Sequence, residues 1–90
     1  MIGSVQPAHT PVIFSPLRQP RITAGQILAV LRRSGFHEVR HSGSHIRLRS
    51  ANGSRAVTVP YHSGQILKPK TLEAILDEAG MTVDQLRDLL

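Results

Sequence analysis

The chain has 90 residues, a formal net charge of +5, five histidines and no cysteine. That length allows one small domain, and the missing cysteine excludes a disulfide framework or a thiolate metal site. No apolar run approaches the roughly 20 residues of a membrane span, and the start lacks the pattern of a secretory leader, so the cytoplasm is the expected compartment.

Met1 to Pro20 carries Pro7, Pro11, Pro16 and Pro20 without any stable period. Such spacing prevents helix and central strand alike, and the segment reads as a disordered proline-rich tail before a folded domain at residues 21–90. Val12, Ile13 and Phe14 are the one stretch there with edge-strand character. Thr23 and Gln26 form a capping-box pattern, followed by Ala24, Ile27, Leu28 and Leu31 at helical spacing, with Gly35 as the stop. Phe36 to Arg40 reads as a short strand and Ser42-Gly43 as a turn. From His45 to Ser50 the residues alternate, with Ile46 and Leu48 on one side and His45, Arg47 and Arg49 on the other. Asn52-Gly53 signals a hairpin into a third strand, Arg55 to Val59, which Pro60 ends. After a loop from Tyr61 to Lys68, a second helix is expected over Thr71 to Ala79, with Pro69 tolerated in its first turn and Gly80 closing it. Thr82 and Gln85 repeat the capping box and start a short third helix. The expected fold is therefore α+β: a helix, a three-stranded antiparallel sheet, then one or two helices packed on one sheet face.

Charge is unevenly spread. Between Val39 and Leu72 there is no acidic residue, while Arg40, Arg47, Arg49, Arg55, Lys68 and Lys70 fall in that stretch. Such a block points to a polyanionic partner, most simply nucleic acid, or else to a solvated basic face. With two Phe, one Tyr and no Trp, stacking of bases on an aromatic platform is not the expected binding mode.

His37, His41 and His45 lie four apart, a ligand face if helical. Gly43 and the strand alternation argue against a helix, and on a strand such residues stand about 13 Å apart at ~3.3 Å per residue. No acidic residue in the block completes a coordination shell, so no metal is expected. His45 stands out by its neighbours, Gly43 and Ser44 before it, Arg47 and Arg49 after it on the same face. On local pattern it reads either as a proton-transfer group beside a bound phosphate or as a partly exposed hydrogen-bonding histidine.

The run Gly35-Phe36, Arg40, Gly43-Ser44-His45, Val57-Thr58-Val59-Pro60, His62, Leu67-Lys68, Thr71-Leu72, Ile75-Leu76 and Ala79-Gly80 resembles the HicA (YcfA-like) family of messenger-RNA interferase toxins. The resemblance covers about Ile22 to Leu90. Relatives often carry a second histidine and an aromatic after the motif, where this chain has Ile46-Arg47-Leu48, and a glycine where it has Lys70. The resemblance implies a double-stranded-RNA-binding-domain-like fold, cleavage of mRNA, and neutralisation by a HicB-like antitoxin. It makes His45 the catalytic histidine. Gly43 and Ser44 would shape the pocket, and His62 is the candidate for a second proton-transfer group. Arg40, Arg47 and Arg49 would contact phosphate, with Lys68 and Lys70 extending the track. No cofactor, membrane or small-molecule ligand is expected. A non-catalytic RNA-binding module of the same fold, or a domain whose basic face meets an acidic protein, are the other readings.

Overall fold

The computed structural model describes residues 19–90. Apart from Gln19 and Pro20, both half-buried, the expected tail lies outside the described residues, Val12, Ile13 and Phe14 included. The order of elements is α1 (Ala24–Arg33), β1 (Phe36–Ser42), β2 (His45–Ser50), β3 (Ala56–Pro60), α2 (Pro69–Ala79) and α3 (Val83–Leu89). This is the α+β arrangement expected, with one sheet in the order β1-β2-β3 and both pairs antiparallel.

Local chemistry sets the helix ends. At α1 the Gln26 N–H donates to the Thr23 hydroxyl and the Thr23 N–H donates to Gln26 Oε1, satisfying two donors the helix cannot. Thr82 and Gln85 do the same for α3. Pro69 occupies the first turn of α2, where no N–H is needed, so that helix begins two residues before the expected Thr71. Gly80 ends it at φ 69°, a left-handed position that suits glycine.

Helices α1 and α2 lie on one side of the sheet. Ile27, Val30 and Leu31 of α1 and Leu72, Ile75 and Leu76 of α2 are buried together with Ile46, Leu48, Val57 and Val59 of the strands. Leu86 of α3 joins the same cluster. No polar or charged residue is buried among those described, so the interior carries no desolvated charge. The loop after β3 is strapped down before α2: the Leu67 N–H donates to the Ile22 carbonyl at 2.8 Å, and Ile66 bridges to Thr23. Among the described residues no helix is long and apolar enough to cross a membrane.

The strands differ from expectation in detail. β1 runs on through His41 and Ser42, so the turn falls on Gly43 and Ser44 rather than on Ser42 and Gly43. The Asn52-Gly53 turn is present, with the Asn52 side-chain oxygen accepting from the Ser54 N–H and the Ser50 hydroxyl. Its outgoing strand starts at Ala56 and ends at Pro60, one residue later at each end than expected. Finally, β1 carries a bulge: Glu38 faces Leu48 but Arg40 faces Arg47, leaving Val39 as an extra residue.

Candidate functional site

The solvent side of the sheet is built in three cross-strand rows. Paired residues in adjacent strands point to the same side, and Ile46 and Leu48 point to the helices, so His45, Arg47 and Arg49 point away from them. His45 stands between Ser42 and Pro60, Arg47 between Arg40 and Thr58, and Arg49 between His37 and Ala56. The structure thus brings His45, Arg40, Arg47 and Arg49 together on one face, and all four side chains are exposed.

Two acids touch this sheet, and both are engaged elsewhere. Glu38 points to the helix side of β1, where Arg32 of α1 pairs with it. Glu78 of α2 reaches the free edge of β3, where Oε1 accepts from the Thr58 N–H at 3.3 Å, while its backbone carbonyl accepts from Arg55. The arginine rows are left with neutral partners. Arg47 donates to the Thr58 hydroxyl at 3.1 Å and Arg49 to the Gly53 carbonyl at 3.3 Å. A guanidinium oriented by a neutral acceptor keeps its charge for an incoming anion.

The turn that presents His45 has its own chemistry. Gly43 lies at φ 59°, and no residue other than glycine takes a positive φ among those described, so Ser44 does not. A two-residue turn with glycine in that first position matches the twist of an antiparallel pair. Ser44 contributes through its backbone: its carbonyl accepts from the Tyr61 N–H, tying the β1–β2 turn to the residue before His62.

At this same end of the domain lies a pocket of about 290 Å³, walled by Ala24, Pro60, His62, Gln65, Ile66, Leu67, Lys68 and Thr71. His62 and Lys68 therefore share a pocket, and His45 is not among its lining residues. Pro60 links the two places, as pocket wall and as the register partner of His45. Lys70 is exposed in the first turn of α2, in the helix layer rather than in the arginine rows. Among the described residues no three His, Cys, Asp or Glu side chains are grouped to hold a metal ion.

Sequence reasoning missed Thr58, His37 and the Val39 bulge. Thr58 was readable only as a strand residue, since its contact with Arg47 depends on the β2–β3 register. His37, four residues before His41, stands opposite Arg49, a pairing that only the β1–β2 register reveals.

Fold and site together define a small α+β domain with one sheet face sealed under helices and the other an exposed face of arginine and histidine. The family model described as the HicA toxin of bacterial toxin–antitoxin systems matches residues 24–81, from the first residue of α1 to just beyond α2. The chain belongs to the HicA toxin family. No curated protein matches it.

Proposed function

We propose that this chain is the toxin of a type II toxin–antitoxin system: a metal-independent endoribonuclease that cleaves mRNA and is neutralised by a HicB-like antitoxin. The observation that carries the reading is an exposed histidine at the end of an arginine face whose contacting acids are held elsewhere. RNA brings its own nucleophile. The 2′-oxygen forms a bond to phosphorus, the bond from phosphorus to the 5′-oxygen breaks, and the 2′ proton ends on the departing 5′-oxygen. The products are a cyclic 2′,3′-phosphate and a free 5′-hydroxyl.

His45 is the proton-transfer group in this reading, because imidazole both takes and gives protons near neutral pH and such transfer contributes roughly 10²–10⁴-fold. Arg40, Arg47 and Arg49 contact the RNA phosphates and hold the backbone in line with His45. Gly43 and Ser44 hold the strand start in place, His62 is the candidate for the second transfer, and Lys68 and Lys70 extend the track. The test is incubation of the purified chain with end-labelled RNA in a chelator. Cleavage to cyclic-phosphate ends is the expected result. Loss of cleavage that added metal restores overturns the histidine mechanism, and RNA binding without cleavage assigns a binding module instead.

A further inference from the structure

Arg40 and Arg47 stand directly opposite one another across β1 and β2. Like charges in that position repel and destabilise a strand pair, and an anion between them would offset that repulsion. The chain reaches it through the bulge. With strict alternation from Phe36, Val39 would face Arg47, and Arg40 would face Ile46 on the helix side. The one extra residue moves the arginine to the solvent face and opposite a second arginine. Among the described residues neither charge is paired with an acid: Arg47 donates to the Thr58 hydroxyl, and the Arg40 side chain has no hydrogen-bond or ion-pair partner. The one acid of β1, Glu38, is turned away to Arg32.

We propose that Arg40 and Arg47 form a two-arginine clamp for a single RNA phosphate, the one next to the phosphate at which His45 acts. This rests on the RNA-cleaving reading above. The Arg47 row lies two residues along β2 from the His45 row, about 6.6 Å at ~3.3 Å per residue, which is one nucleotide step of an extended strand. Two guanidiniums with five donors each can share the oxygens of one phosphate, and the bound anion turns their mutual repulsion into attraction to a common centre. The Arg49 row, with His37 opposite, continues in the same direction by another step. Rows set in a straight line along one strand, without an aromatic among them, follow the backbone of stretched single-stranded RNA and leave its bases unread.

The test is a binding titration of the full chain with a short oligoribonucleotide carrying 2′-fluoro sugars throughout, so that no 2′-hydroxyl is left to attack. Each phosphate is replaced in turn by a neutral methylphosphonate. The proteins are the parent, Arg40→Gln, Arg47→Gln and the double variant, with melting temperatures recorded to show that each stays folded. One methylphosphonate position is expected to weaken the parent about tenfold and to cost the double variant nothing, because the partner charges are already gone. Equal losses in parent and double variant at every position overturn the clamp, as does parent-like affinity in both single variants. If that coupling appears in a protein that does not cut RNA, the clamp stands and the cleavage reading falls. If the protein cuts RNA without the coupling, the reverse holds. Absence of any RNA binding removes both.

Discussion

On the helix side of the sheet, Phe36, Ile46, Leu48, Val57 and Val59 are buried in an all-apolar interior. One residue away along the same strands, His37, His45, Arg47 and Arg49 stand exposed, joined by Arg40 where the bulge resets the alternation. The inner face gains its free energy from removing apolar surface from water and tolerates no unpaired charge. The outer face gains nothing of that kind, and by aligning like charges it gives up some stability. A strand that alternates between two such faces keeps folding and ligand contact on separate side chains. Substitutions on one face should therefore act on stability, and on the other on RNA.

Ile46→Asp breaks that separation most severely. It sets an unpaired carboxylate against the core, a change beyond about 4 kcal/mol, which consumes most of a small domain's stability of roughly 5–15 kcal/mol. Circular dichroism should show an unfolded chain, and Leu76→Asp should match it; a folded Ile46→Asp protein would mean that the inner face is not a core. Gly43→Ala should come next. Its backbone at φ 59° disfavours a Cβ by about 1–2 kcal/mol, and each kcal/mol lowers the melting temperature of so small a domain by about 4–8 °C. An unchanged melting temperature would show that the turn adapts without strain.

On the outer face the effects should appear in RNA binding and cleavage, with at most a small gain in stability where the Arg40–Arg47 repulsion is relieved. Replacing Arg47 and Arg49 together by glutamine should flatten the dependence of log affinity on log salt by about one to two units in a protein that stays folded. An unchanged slope would move the RNA path off this face. Thr58→Val sharpens the comparison further. It keeps the β-branched shape and the N–H that donates to Glu78 while removing the acceptor of Arg47. A hydrogen bond of this type is worth about 0.5–1.5 kcal/mol, so RNA affinity should fall only a few-fold. Equal salt slopes in Thr58→Val and its parent would fit a lost orientation rather than a lost charge.

What was legible in the sequence follows from how local each cause is. The Thr23–Gln26 and Thr82–Gln85 caps are bonds between residues three apart, so both helix starts could be read directly. β2 was legible because its two sides differ so sharply in polarity. β1 was legible only as a short strand, because beyond Phe36 every one of its residues is exposed and no hydrophobic period marks its face or its end. Its length and its bulge are set by pairing with β2, which is a property of the partner strand. The same holds for the site. Grouping His45 with Arg47 and Arg49 needed only a period of two, whereas the placement of Arg40 needed the bulge. The separation of His62 and Lys68 into their own pocket depends on the course of the loop, fixed by the distant contacts of Leu67 with Ile22 and Ile66 with Thr23.

The central claim is that His45 serves the chemistry and not the fold, and His45→Ala measured for melting temperature and RNA cleavage side by side tests it most directly. The side chain is exposed and points away from the core, so the melting temperature should stay within a few degrees of the parent. RNA binding should hold within a few-fold because the arginines remain, while cleavage should fall by the roughly 10²–10⁴-fold that a proton-transfer group supplies. A variant that cuts RNA at the parent rate would contradict the account and pass the role to His62. An unfolded variant would contradict it differently, by making His45 part of what holds the domain together.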